Sequence, residues 1–201
     1  MEATKEIYIY GMSGHGRVVA DVALACGYTI AGWIDDADTN QVPNWETFER
    51  SHTNGAIALG IGDNLTRSRI ADRIILAGHT LPPLIHPSAI ISPSATIGIG
   101  SLVMPLCVVN ANAVIAQGSI VNSGAIVEHD CILGAYSHIS PNASLAGGVS
   151  VGDFTHIGIG SAILQNITVG KNTLVGAGAV VINNLPDNCT AVGVPAKIIR
   201  S

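Results

Sequence analysis

The chain has 201 residues, enough for one large domain or two small ones, with a net charge of −5 and no run of basic residues, which argues against nucleic acid as a partner. Only 11% of the residues are charged, so much of the surface is expected to be covered by repeat stacking or by another subunit. The chain opens on polar residues, its first apolar stretch is short and glycine-terminated, and no apolar run reaches bilayer length; neither a leader nor a membrane span is expected. The four cysteines (Cys26, Cys107, Cys131 and Cys189) form no C-x-x-C pair and fit a reducing, cytoplasmic protein.

Residues 1–81 alternate short apolar strands with helical patterns. Ile7–Tyr10 reads as a strand, followed by Gly11-Met12-Ser13-Gly14-His15-Gly16 and a helix to about Cys26. A second strand, Thr29–Ile34, ends on Asp35-Asp36. A short helical piece lies near Trp45–Arg50, and a third strand, Ala56–Leu59, runs into Gly60. A helix over about Leu65–Ala77 completes a Rossmann-like βαβαβ unit with a parallel sheet. The glycine loop is G-x-x-G-x-G, a weak signal alone. Here it follows a strand, opens a helix and precedes Asp35 by nineteen residues counted from Gly16. It predicts a nucleotide site with phosphates over Ser13, Gly14 and His15, and with Asp35 and Asp36 on the ribose or base. The alternative is a tight turn packed for structural reasons. No P-loop lysine is present, so ATP hydrolysis is not expected.

After Pro82-Pro83 the grammar changes, and residues 82–201 read as a second domain. Seventeen consecutive hexads from Ile85 each open with isoleucine, valine or leucine, and the fifth position is nearly always small. A period of six is the mark of a parallel β-helix. With three hexads per triangular lap, residues eighteen apart stack at roughly 4.8 Å, the spacing of neighbouring strands. Each buried first-position aliphatic contributes about 1.5–3 kcal/mol before entropy is counted.

Val127-Glu128-His129-Asp130 interrupts this regularity with chemistry. His129 has Ala111 and Gly147 one lap away on either side, which leaves room for a substrate beside the imidazole. The adjacent carboxylate of Asp130 is suited to orient that ring and raise its basicity. The competing reading is an exposed corner histidine with a coincidental acid neighbour. His138 and His156 are also one lap apart and should stack, but the histidine spacing lacks the H-x-x-x-x-H element of a metal-binding β-helix of the carbonic anhydrase type. No metal is expected. At the end, Gly193-Val194-Pro195-Ala196-Lys197 caps the solenoid or, with Arg200, supplies positive charge to a phosphate-bearing ligand.

Taken together, the hexads, the His-Asp pair, the G-V-P-A-K tail and the G-M-S-G-H-G loop resemble the hexapeptide-repeat sugar O/N-acetyltransferases, over the whole chain. The resemblance is strongest to the branch that N-acetylates UDP-4-amino-4,6-dideoxy-N-acetylglucosamine to give UDP-N,N′-diacetylbacillosamine. It implies a left-handed β-helix, a homotrimer with sites between subunits, acetyl-CoA as co-substrate and a UDP-amino-sugar acceptor. By the same resemblance His129 is the general base and Asp130 its orienting acid. His138 then contacts the acetyl region, and Ile159 and Ala177 line the CoA arm. Ser13, Gly14, His15, Asp35, Asp36 and Gly60 hold the nucleotide sugar, with His15 reaching the sugar from a neighbouring subunit. An O-acetyltransferase acting on sialic acid or a related sugar has a similar layout. A non-catalytic nucleotide-sugar-binding trimer is the alternative from outside enzymology.

Overall fold

The structure, a computed structural model, describes residues 5–37 and 41–201. Residues 1–4, part of the polar start weighed against a leader, lie outside it. Strand β1 (Lys5–Tyr10) forms the centre of a three-stranded parallel sheet, flanked by β2 (Tyr28–Ile34) and β3 (Ile57–Leu59) in the order β2-β1-β3. Helices α1 (Gly14–Ala25), α2 (Trp45–Ser51) and α3 (Asn64–Leu76) connect and follow these strands. The apolar residues of α1 recur at helical spacing, so Val19, Val22 and Ala23 are buried on one side. Caps mark the other two helix starts: Asn44 accepts from the Thr47 N–H and Asp63 from the Thr66 N–H. These elements match the expected βαβαβ order to within a few residues at each end.

Among the described residues, seventeen two-residue strands follow, from β4 (Leu84–Ile85) to β20 (Val180–Val181), one per hexad. They stack in parallel as the three faces of a prism, each residue paired with the one eighteen positions on, as Val121 is with Ile139. The first face carries outward Leu84, Leu102, Ile120, His138, His156 and Leu174. The second carries Ile90, Val108, Ile126, Ser144, Ala162 and Val180, and the third runs from Thr96 to Thr168. First-position aliphatics and small fifth-position residues fill the interior, Cys107 and Cys131 among them. An antiparallel hairpin of β21 (Thr190–Val192) and β22 (Lys197–Arg200) closes the first face. No described helix is long and apolar enough to cross a membrane.

The corners obey a rule that a search for first and fifth positions passes over. The fourth hexad position turns left-handed, with φ between +53° and +71° at sites such as Gly100, Asn112, Gly118, Asp130, Asn142, Gly148 and Asn172. Glycine, asparagine and aspartate tolerate that conformation best. Tyr136 and Phe154 also adopt it, at φ 55° and 57°, despite their bulk. Their rings stack at 5.7 Å, and Tyr136 is buried with Ile70, Ala71 and Ile74 of α3. The strained corners are thus the pad on which the N-terminal layer rests.

That layer covers the early laps of the first face. Leu84, Leu102 and Ile120 point outward from the prism yet are fully buried. Arg67 of α3 is buried as well, and among the described residues no carboxylate is a hydrogen-bond partner of it. Its Nε donates to the Gly118 carbonyl (2.7 Å), and its Nη atoms donate to the carbonyls of Gly62 (2.9 Å) and Tyr136 (2.9 Å) and to Oδ1 of Asn64 (2.7 Å). One guanidinium therefore fastens the loop after β3 to two corners of the solenoid.

Candidate active site

The glycine loop is built by close backbone approach. A Cβ on Gly16 would lie 1.8 Å from the Gly11 carbonyl oxygen, and one on Gly60 would lie 2.7 Å from the Gly16 Cα. Glycine is obligatory at both positions, and the ends of β1 and β3 are thereby drawn onto the start of α1. Ser13 is the N-cap of α1 and its hydroxyl caps nothing, while Ser13 and Gly14 are exposed. Asp35, at the end of β2, accepts from the Met12 N–H (2.7 Å) and the Ala37 N–H (2.8 Å), which ties the loop to the next strand. Asp36 is engaged internally: it accepts from the Tyr10 hydroxyl (2.7 Å), the Trp45 N–H (2.9 Å) and Arg73 (2.8 Å).

His15 faces the solenoid. Its ring lies 6.4 Å from that of His138, which in turn lies 4.7 Å from His156 on the next lap. Asn122 fixes the His138 tautomer. The Asn122 Oδ1 accepts from the Ser123 N–H (2.9 Å), so its amide nitrogen faces His138 Nε2 at 3.0 Å. Nε2 is then the acceptor and Nδ1 carries the proton. Among the described residues that Nδ1 and the Nε2 of His15 are buried without a partner at good hydrogen-bond geometry, and the Gly62 carbonyl is the backbone acceptor that acts on His138. Burial, with His156, Arg67 and His15 nearby, pushes the His138 pKa down to about 3. Burial and Arg67 lower those of His15 and His156 too. All three rings are therefore neutral at pH 7.

His129 occupies a different place, on the corner between the second and third faces, and among the described residues no contact joins it to His138 or His15. Its Nδ1 lies 2.8 Å from Oδ2 of Asp130. The hydrogen bond that Nδ1–H donates to Asp130 is the main influence raising the His129 pKa above its ordinary value. With Nδ1–H facing the carboxylate, the Nε2 lone pair is open to solvent. A Cβ on Gly147 would come within 2.5 Å of that Nε2, so the ring lies across a residue that must lack a side chain. Beside it, the second face forms an apolar groove of about 410 Å³ lined by residues including Ile126, Glu128, Ala146 and Ala162. Ile159 and Ala177 lie exposed one lap apart on the corner between the first and second faces. Among the described residues no three His, Cys, Asp or Glu side chains are placed to hold a metal ion.

The family profile of the PglD N-terminal domain matches residues 6–74. A variant of perosamine N-acetyltransferase from Caulobacter crescentus, solved with CoA and GDP-perosamine, superposes with a TM-score of 0.94 at 39% identity, covering 99% of both chains. The chain belongs to the hexapeptide-repeat sugar N-acetyltransferases. It is an acyltransferase by that membership. The acetyltransferase domain of PglB from Neisseria gonorrhoeae, in complex with acetyl coenzyme A, superposes with a TM-score of 0.89 at 39% identity, over 98% of this chain and 100% of that one. The UDP-N-acetylbacillosamine N-acetyltransferase of Bacillus subtilis is 36% identical over 118 residues, which is 50% of this chain and 51% of that protein.

The sequence singled out His129, Asp130, His138 and the glycine loop. It missed Arg67, Asn112 and Asn122. Arg67 carries no local signal that separates it from the other polar residues of its helix. Asn112 does carry a signal, since it stands one eighteen-residue lap before Asp130.

Proposed function

We propose that this member of the family transfers the acetyl group of acetyl-CoA to the 4-amino group of a UDP-4-amino-4,6-dideoxy-N-acetylhexosamine, giving UDP-N,N′-diacetylbacillosamine. The observation that carries the reading is the His129–Asp130 pair with its Nε2 free above Gly147. As the amine nitrogen attacks the thioester carbonyl, Nε2 takes the amine proton. The C–S bond then breaks, the thiolate leaves, and the imidazolium supplies it with a proton. General base help of this kind is worth about 10²–10⁴-fold. The Asp130 carboxylate holds the ring and stabilises its charged form. The protonated Nδ1 of His138 is a buried donor, near the Gly62 carbonyl, suited to the oxyanion that forms on the attacked carbonyl.

In this reading residues 1–81 bind the nucleotide sugar and residues 82–201 carry acetyl transfer. The α1 N-terminus with Ser13, Gly14 and His15 takes the phosphates. Asp35 and Gly60 border the nucleotide, and Asp36 holds Tyr10 and Arg73 at its edge. Ile159 and Ala177 line the CoA arm. His129 and the His15–His138 group occupy different sides of one prism, so their joint use requires copies packed side by side. That geometry supports a homotrimer with shared sites, and the four free cysteines fit action in the reducing cytoplasm.

A second reading is favoured by the full-length likeness to the perosamine enzyme: a GDP-linked amino sugar as acceptor. Thiol release from acetyl-CoA, measured with UDP-linked and GDP-linked amino sugars and with sialic acid, separates the acceptors. Efficient turnover of the UDP-4-amino sugar alone is expected. Preference for the GDP sugar would establish the second reading, and no thiol release with any acceptor would end both.

A further inference from the structure

We propose that Asn112 is a positioning residue for the acyl-transfer base, holding the Asp130 carboxylate in the orientation from which it fixes His129. The inference rests on the reading of His129 as the base. Asp130 sits on an exposed corner with its backbone left-handed at φ 59°. A carboxylate there has two rotatable bonds and water on most sides, so one contact to an imidazole does not define its direction. The second contact does. While Oδ2 faces His129 Nδ1 at 2.8 Å, Oδ1 accepts from the Asn112 side-chain amide at 3.0 Å. With one oxygen tied below, the other is aimed along the corner at the ring.

Asn112 is itself anchored. It stands one lap before Asp130 on the same corner, also left-handed at φ 59°, and its backbone N–H donates to the Ser94 hydroxyl a further lap down at 3.0 Å. The Asp130 N–H donates to the Ala111 carbonyl at 2.9 Å, which sets the spacing between the laps. Ser94, Asn112, Asp130 and His129 thus form a ladder that ends at the free Nε2 above Gly147. Corner amides also pair where no chemistry is expected, as Asn172 does with Asn188 at 2.9 Å. The difference at Asn112 is the acceptor: a charged carboxylate already committed to an imidazole, which makes the bond charge-assisted. Glu128 is the other carboxylate at the ring; one of its oxygens lies 3.4 Å from the His129 backbone nitrogen, so it does not compete for Nδ1.

The test uses Asn112→Gly, which removes the amide and keeps the left-handed backbone unstrained, with Asn112→Asp as a second variant that preserves size but cannot donate when ionised. Two readouts are taken on the full chain: steady-state kinetics, and the ring ¹⁵N shifts of His129, which report its neutral tautomer. The native protein is expected to hold the Nδ1–H form. Both variants are expected to mix in the Nε2–H form and to lose about tenfold in kcat, with KM for acetyl-CoA within about twofold of native, as for loss of one charge-assisted bond. In an Asp130→Asn background, Asn112→Gly is expected to change kcat by less than about twofold, since its effect runs through that carboxylate. Native turnover and tautomer in both single variants would overturn the proposal, as would a loss that multiplies independently of Asp130. Native turnover in His129→Ala would instead overturn the base assignment, and the tautomer measurement then still decides whether Asn112 orders the pair.

Discussion

The imidazole of His129 lies across the backbone of Gly147, one lap further along the same corner, so closely that a Cβ at position 147 would come within 2.5 Å of Nε2. Gly147 has no left-handed φ of its own, so its lack of a side chain serves the ring above it. Gly147→Ala is accordingly expected to fold normally and displace the imidazole, lowering kcat by about 10–100-fold, since displacement of about 1 Å costs on that order. Unchanged kcat would mean that the ring does not work from this pose. A melting curve alongside the kinetics separates displacement from misfolding.

His129→Ala is expected to lower turnover by about 10²–10⁴-fold and leave thermal stability nearly unaltered, because the side chain is mostly exposed and takes no part in the core. The hydrogen bond donated to Asp130 raises the His129 pKa, and the base form is the neutral ring. Activity should therefore rise with pH through a limb above the ordinary histidine value. Asp130→Asn removes the charge that favours the imidazolium, so the limb should move to lower pH while the plateau falls. A pH profile of kcat/KM for both proteins checks the sign.

His138 should not contribute to that limb. Its folded-state pKa is pushed down to about 3, and those of His15 and His156 are lowered as well. NMR titration is expected to show His138 unchanged from pH 8 to pH 5 while His129 moves. Since all three pKa values are depressed on folding, the unfolded chain takes up protons first as the pH drops. Their contribution to stability is complete above about pH 6.5 and is lost progressively as the pH falls toward 3. His138→Gln should flatten the fall of Tm with acidification.

Arg67→Met should be the costliest single change outside the corner. It leaves the carbonyls of Gly118, Gly62 and Tyr136 without their donor inside the contact between α3 and the solenoid. About 3–5 kcal/mol is expected by analogy with breaking other buried charged networks. Chemical denaturation measures it. A loss below about 1 kcal/mol would show that water replaces the guanidinium freely.

The hexad repeat settled the solenoid by itself, because two side chains in six, one aliphatic and one small, must enter a triangular core and the aliphatics have nowhere else to go. The same lap arithmetic put His138 beside His156 and left space over His129, and the strand-glycine-helix order announced the N-terminal layer. Tertiary packing decided the rest. Nothing local distinguishes Arg67 from a solvated helix arginine until α3 lies on the solenoid. Nothing local marks Tyr136 and Phe154 as left-handed corners until that layer compensates their strain. Asp36 reads from the sequence as a contact to the ribose or base, and only packing brings Tyr10, Trp45 and Arg73 onto it. Repeats carry their neighbours in the sequence, at a fixed separation; the contacts of Arg67 with Gly118 and Tyr136 join residues 51 and 69 apart and depend on how the surfaces meet.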